Sequence, residues 1–410
     1  MSIDVEAIKK DFPIFEREVH GKRLVYLDSA ASSQKPEVVL DAMDRFYRDH
    51  YANVHRGVYT IAEEATQAYE GARAKVAKFV GAPSASELVF TRNATEAINL
   101  VAYSWARANL KAGDAIVLTQ LEHHANVVPW HILAAERGVE LRWIPLTADY
   151  RLDLTHLDEL LAGAKLLAFS AMSNVLGTMT DVRALTDAGH AAGAKVLVDA
   201  CQWVPHAPTD VKEWGADFVA FSAHKMLGPT GIGALWAPAE LLDSMPPFLG
   251  GGDMIRDVRL DGFTPNDLPW KFEAGTPPFV EGVGFGAAVD YLEALGMDQV
   301  RAHEREVTAY ALDALDRRFG DRLTVYGPTD VDVRGGAISF AFDGIHAHDV
   351  SQVLDEDGVC VRAGHHCAKP LMRILGISAT SRASFYLYND TADADALVDA
   401  LTHVEQFFAL

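Results

Sequence analysis

Between Glu87 and Trp236 the chain is a succession of short apolar runs, none of which alternates with polar residues. Leu88–Thr91, Ala115–Thr119, Leu141–Pro145, Leu166–Ser170, Val196–Asp199, Phe218–Ser222 and Gly233–Trp236 read as strands, with helical patterns between most of them. A strand without polar positions must be covered on both faces, and strands joined by helices run mostly parallel. Few architectures satisfy this: the expectation is α/β, a large domain whose mostly parallel sheet is covered by helices. Sheets of this kind take ligands at the carboxyl ends of their strands.

Chemically suggestive residues stand at those ends: Asn93, Ala94, Thr95, His123, Asn174, Asp199 and Lys225. Lys195–Val198 runs into Asp199, and Ala216–Phe221 runs into Ser222-Ala223-His224-Lys225. A lysine and an aspartate at the ends of neighbouring buried strands are what pyridoxal 5'-phosphate requires. The lysine binds the cofactor aldehyde, and the carboxylate pairs with the pyridinium nitrogen so that the ring can draw electrons. The competing reading of Lys225 is a surface lysine at a strand end. Thr91–Glu96 spans a strand-to-helix junction, where the free amides of Ala94 and Thr95 suit a phosphate. Asn93 with Glu96 also fits a capping box, which would hold those amides in place. His123 could stack over a pyridine ring and move protons. His123 and His124 lack a third ligand at suitable spacing, so no metal is expected.

A second cluster, Arg362-Ala363-Gly364-His365-His366-Cys367-Ala368, puts a cysteine beside two histidines and near Arg362 and Arg373. Nearby cations favour thiolate over thiol, so Cys367 reads as a nucleophile. The competing readings are a structural cysteine, of which Cys360 in its apolar run is the better example, and a metal site still short of a ligand. Cys201 reads as packing near Asp199. Arg382, before an apolar strand, could hold an amino-acid carboxylate through its planar fork, or simply form a salt bridge.

The chain has 410 residues, a formal net charge of -21 and three cysteines. Without a basic block, that charge argues against nucleic-acid binding. Three scattered cysteines make neither a disulfide framework nor a zinc site, and they suggest a reducing cytoplasm. There is no secretion-signal pattern at the N-terminus and no apolar stretch approaching the ~20 residues of a membrane span. The first twenty residues read as a short helix and a Pro-containing arm, followed by a strand at Leu24–Asp28 and helices near Glu37–Asp49 and Ile61–Val80. Leu249–Pro278 reads as loop, then helices near Gly282–Leu295 and Gln299–Arg318. The remainder alternates strand (Leu323–Tyr326, Ala337–Phe342, Val359–Arg362, Ser381–Tyr388) and helix (His348–Asp357, Ala394–Phe408). The expected division is a large domain, 20–295, and a small α+β domain made of 1–19 and 296–410.

With Lys225, Asp199, Cys367 and Arg382 assembled, the chain resembles the Suf-type (group II) cysteine desulfurases, in the class V branch of fold-type I pyridoxal phosphate enzymes. The resemblance covers nearly the whole chain. It runs through Asp11-Phe12-Pro13, Tyr26–Ala31, Asn53–Gly57, Thr91–Glu96, Glu122–Asn126, Ser173–Gly177 and Asp199–Gln202. It continues through Ser222–Lys225, Ala274–Pro278, Arg362–Cys367 and Ser381–Ser384. The compact R-A-G-H-H-C loop is the feature that separates this group from group I.

The resemblance implies that Lys225 carries the cofactor, Asp199 meets its ring nitrogen, Gln202 its ring oxygen, and His123 its face. Ala94, Thr95, Ser222 and His224 would hold the phosphate, with Thr276 added from the neighbouring subunit of an obligate homodimer. Asn174, Arg382, His55 and Arg362 would bind the substrate, L-cysteine. Cys367 would take its sulfur as a persulfide, leaving L-alanine, and pass it to an acceptor protein for iron–sulfur cluster assembly. His348 matches a histidine that takes over a zinc ligand from a U-type acceptor, which would favour that partner over the E-type; the bland reading is a helix cap. Rival activities are selenocysteine lyase and cysteine sulfinate desulfinase. From another class, the rival is a persulfide-relay scaffold without turnover.

Overall fold

The structure, a computed structural model, describes residues 3–409; Met1 and Ser2 of the expected N-terminal arm, and Leu410, lie outside the described residues. The seven apolar runs form one seven-stranded sheet. Its strands are Leu88–Thr91, Ala115–Thr119, Glu140–Ile144, Ala164–Ser170, Lys195–Asp199, Phe218–Ser222 and Gly233–Trp236. Pairing is parallel except where Gly233–Trp236 inserts antiparallel between Leu88–Thr91 and Phe218–Ser222.

The lack of alternation has the physical cause expected. Val117, Leu167, Phe169, Val196 and Val198 point into a core shared with helices Thr60–Phe79 and Phe279–Leu295. Their neighbours Ile116, Leu118, Leu166, Ala168 and Leu197 point into a second core, under Ala94–Leu100 and Val128–Arg137. Each valine, leucine, isoleucine or phenylalanine fully buried this way contributes roughly 1.5–3 kcal/mol.

Beyond Phe279–Leu295, the helix Met297–Phe319 leads into a smaller antiparallel sheet. Its order is Leu323–Tyr326, Ala337–Phe342, Thr380–Ser384, Arg362–Gly364, with helices Ala347–Glu356 and Thr391–Phe408 packed on it. The strand expected at Val359–Arg362 changes sheets part-way. Val359–Cys360 pairs in parallel with Val25–Tyr26, and Arg362–Gly364 pairs with Thr380–Ser384. Val25 and Leu27 therefore pack in the small unit's core, although the expected division at residue 20 assigns them to the large one.

Three expectations about elements are corrected. The strand expected over Ser381–Tyr388 stops at Ser384, because Tyr386 and Tyr388 turn into the large unit. There their hydroxyls meet Pro205 O and Ser29 Oγ. The helix expected to Asp49 is α-helical to Arg45 and widens to π geometry over Phe46–His50. The loop expected over Leu249–Pro278 contains a hairpin, Ile255–Arg259 with Gly262–Pro265.

Candidate active site

The strand ends converge on a cavity of about 280 Å³. Ala94, Thr95, His123, Asn174, Asp199, Gln202, Ser222, His224, Lys225, Arg362, Cys367 and Arg382 all line it. Residues from strands far apart in sequence meet because parallel neighbours end on the same side.

At one end, the Ala94 amide donates to Ser222 Oγ at 2.8 Å. Asn93 caps the helix by accepting the Glu96 amide at 2.9 Å. The second arm of the expected capping box lands one residue early: the Glu96 carboxylate takes the Arg92 amide at 2.6 Å. Asp199 is 5% exposed and accepts the Cys201 amide on Oδ1 at 3.0 Å. Gln202 donates through Nε2 to the Ala30 carbonyl at 2.7 Å. The carbonyl of His224, directly before Lys225, is held by Ser33 N, Ser32 Oγ and Lys35 Nζ at 3.0, 3.1 and 3.0 Å. Burial lowers Lys35 to about 8. His224 is lowered to about 4 by burial, with Lys225 and Lys35 adding to the effect.

His123 stands on the turn after Ala115–Thr119. Its Nδ1 accepts the Ala125 amide at 3.1 Å, which leaves the proton on Nε2. Burial and the nearby Lys225 charge lower its pKa to about 4, against the pull of Asp199, so the ring is neutral at pH 7. The turn is anchored by the buried Glu122, which accepts from Thr119 Oγ1 (2.5 Å), Asn126 Nδ2 (2.7 Å), Ser170 Oγ (2.7 Å) and Ser170 N (3.0 Å). Burial outweighs those hydrogen bonds and raises Glu122 to about 7. Cys201, beside Asp199, is pushed strongly toward the thiol by burial.

At the other end are the small unit's residues. Arg382 is 1% exposed; its guanidinium donates to Asn174 O at 2.8 Å and to Asp28 Oδ1 at 3.2 Å, while Nε has no partner. Burial lowers it to about 10, still a cation at neutral pH. Arg362 forks onto the same Asp28 carboxylate, through Nε at 3.1 Å and Nη2 at 2.9 Å. Cys367 is exposed, on the loop between Arg362–Gly364 and the helix Lys369–Ile374. Asn174 Nδ2 donates to His366 O at 2.7 Å.

Three expected site residues stand elsewhere. Thr276 lines a separate cleft of about 730 Å³ with Arg92, Glu96 and Glu281. His55 lines another with Arg56, Asp253 and Trp270, its Nε2 2.8 Å from Glu70 Oε1. His348 is exposed near the start of the helix Ala347–Glu356, its ring stacked 5.0 Å from that of His346. The cap of that helix is His346, whose Nδ1 accepts the His348 amide. Sequence reasoning missed Asp28, Glu122 and Lys35 as site residues. Asp28 meets Arg362 and Arg382, and Lys35 meets His224, only across the fold. Glu122 bonds Thr119 and Asn126 nearby, but its tie to Ser170 is set by the packing of neighbouring strands.

The profile of the family described as aminotransferase class-V matches residues 25–397. The chain belongs to that family. It is an enzyme, and its cofactor is pyridoxal 5'-phosphate. The chain is 53% identical, over 99% of its length and 98% of the relative's, to a Streptomyces coelicolor protein named "Probable cysteine desulfurase". Two solved structures are close in shape. One is an apo cysteine desulfurase from Thermococcus onnurineus, 39% identical with a TM-score of 0.93 over 98% of each chain. The other is the cysteine desulfurase CsdA from Escherichia coli, 39% identical with a TM-score of 0.91 over 99% of this chain and 100% of that one.

The cavity suits the cofactor on its own chemistry. It offers a lysine amine, a buried carboxylate for a ring N–H, a neutral imidazole, and a hydroxyl with the first amide of a helix for a phosphate. Arg382, which lines the same cavity, keeps an unpartnered, buried N–H for a further anion.

Proposed function

We propose that this protein is a cysteine desulfurase of the Suf-type group, converting L-cysteine to L-alanine with the sulfur delivered to Cys367. The observation that carries the reading is one cavity holding Lys225, the carboxylate-binding pair Arg382 and Arg362, and an exposed cysteine thiol.

Lys225 would hold the cofactor, with Asp199 at its ring nitrogen, Gln202 at its ring oxygen, His123 on its face, and Ala94, Thr95, Ser222 and His224 at its phosphate. When bound, the cofactor supplies the electron sink that makes the substrate Cα–H acidic and loosens the bond from Cβ to sulfur. Arg382, with Arg362 and Asn174, binds the substrate carboxylate and orients the sulfur toward Cys367. The Lys225 amine takes the Cα proton. The Cys367 thiolate attacks the substrate sulfur: an S–S bond forms as the C–S bond breaks, and the electron pair stays with the carbon fragment, which is protonated to alanine. Neutral His123, with its proton on Nε2, is suited to hand a proton to that fragment.

The test is alanine release from L-cysteine by the purified holoenzyme. Both Lys225→Ala and Cys367→Ala should abolish it; a Lys225→Ala protein that still mobilises sulfur would instead make this a relay scaffold. Ranking kcat/KM for L-cysteine, L-selenocysteine and L-cysteine sulfinate decides among the three possible main activities.

The enzyme works as a homodimer in which Thr276 and His55 serve the neighbouring copy's cavity, which fits their distance from their own. Co-expressing Lys225→Ala with Thr276→Val chains should then restore one complete site per heterodimer; no gain over either parent would refute the exchange. The persulfide passes to an acceptor protein for iron–sulfur cluster assembly, a zinc-bound U-type scaffold, toward which the exposed His348 is available. His348→Ala should remove acceptor stimulation and spare basal turnover. The setting is the cytoplasm, which agrees with three free cysteines. Among the described residues no helix is long and apolar enough to cross a membrane.

A further inference from the structure

Cys367 sits on a strained backbone. His366 and Cys367 have φ of 50° and 56°, two successive non-glycine residues in the left-handed region. Each costs on the order of 1–2 kcal/mol there, and such a conformation persists only where its surroundings over-determine it.

The constraints can be named. Asn174 Nδ2 donates to His366 O at 2.7 Å, and the Cys367 amide donates to His365 Nδ1 at 3.2 Å. Two more come from a single residue, His124. Its amide donates to the Cys367 carbonyl at 2.7 Å, and its ring Nε2 accepts the Lys369 amide at 3.0 Å. The His124 ring also packs against that of His365, with centroids 5.7 Å apart. One histidine therefore grips the loop on both sides of the nucleophile, and it does so from the turn that presents His123.

We propose that His124 is a positioning residue, whose ring acceptor on the Lys369 amide keeps Cys367 in the left-handed conformation that places its thiol in the cavity. This rests on the reading of Cys367 as the sulfur-accepting nucleophile. The backbone contact survives any side-chain change, so the ring's share can be isolated. A glutamine places an amide oxygen where Nε2 lies, whereas an asparagine stops near Nδ1.

The experiment compares holoenzyme carrying His124→Asn, His124→Gln or Cys367→Ala with the parent. His124→Asn should keep the visible cofactor band and the KM for L-cysteine, lower kcat roughly tenfold or more, and speed deuterium exchange at the Lys369 amide. His124→Gln should bring both quantities back toward the parent values. Parent-like kcat or parent-like Lys369 protection in His124→Asn overturns the proposal, and so does a His124→Gln enzyme as impaired as His124→Asn. If His124→Asn fails to hold cofactor, the glutamine variant decides alone: parent-like kcat and protection support the role, and their loss overturns it. A Cys367→Ala enzyme that still forms alanine at the parent rate would refute the reading of Cys367 itself, whatever the His124 variants do.

Discussion

Asp28 shows how much one carboxylate can organise. It receives the fork of Arg362 and one arm of Arg382, so two guanidinium groups that would repel each other share an anion. The pair retains one net positive charge for a substrate carboxylate. Hydrogen bonding to Asp28 is also the leading reason Arg362 is held above the usual arginine range. In Asp28→Asn we expect KM for L-cysteine to rise roughly tenfold, about 1.4 kcal/mol of lost binding, with kcat little altered; steady-state kinetics measure both. A fall in KM would mean that Asp28 competes with the substrate instead of aiming its partners. Cys367 and Lys225 were legible in the sequence because their neighbours along the chain advertise them. Asp28 was not, since its two arginines lie 334 and 354 residues away.

Elements were legible where burial was two-sided. Six strands of the large sheet announce themselves because their interiors are buried on both faces. The edge strand Glu140–Ile144 carries Glu140 and Arg142 and is marked only by its apolar Leu141, Trp143 and Ile144. The hairpin Ile255–Arg259/Gly262–Pro265 was hidden for the opposite reason: its residues are mostly exposed, so no apolar period marks it. The change of sheets at Val361 was hidden too, because Val359–Cys360 pairs with Val25–Tyr26 near the start of the chain while Arg362–Gly364 pairs with the following strand, Thr380–Ser384.

The inserted antiparallel strand also bears on the site. It begins at Gly233, where an added Cβ would lie 2.7 Å from both Asn93 Cα and Phe221 O. Backbone on both sides leaves nothing flexible to yield. Gly233→Ala should push the Asn93 cap, and with it the Ala94 amide, away from Ser222 and weaken cofactor binding roughly tenfold or more. Titrating cofactor-free protein with pyridoxal phosphate, followed by visible absorbance, reads this directly; unchanged affinity would separate the cap from the phosphate site.

For the whole molecule, three half- to fully buried histidines set the response to acid. His123 and His224 titrate near 4 and His366 near 3, all held down first by burial, against an ordinary value of 6.5. On unfolding each returns to 6.5, so between that pH and about 4 the unfolded chain binds more protons. Stability is whole above pH 6.5 and is lost as pH falls through this window. Glu122, raised to about 7, opposes this over about 4.5 to 7, since its folded form keeps a proton that the unfolded form gives up. It is one group against three. Urea unfolding of cofactor-free protein should therefore give a midpoint that drops between pH 6.5 and 4.5, and drops further in Glu122→Gln. A flat profile would mean these rings titrate normally.

The pairing of Val25–Tyr26 with Val359–Cys360 has a consequence for how the protein is made. The segment that follows this strand carries Ala30 and Ala31 onto the wall of the cavity. A ribosome releases that wall first and its docking strand almost last. Through most of synthesis the nascent large sheet exists with one side of its pocket open, and long-range closure of this kind is slow. Capture of the cofactor in a finished pocket is thus an event of the released polypeptide, and a chain stalled short of residue 359 would have every strand of its major sheet yet no closed chamber.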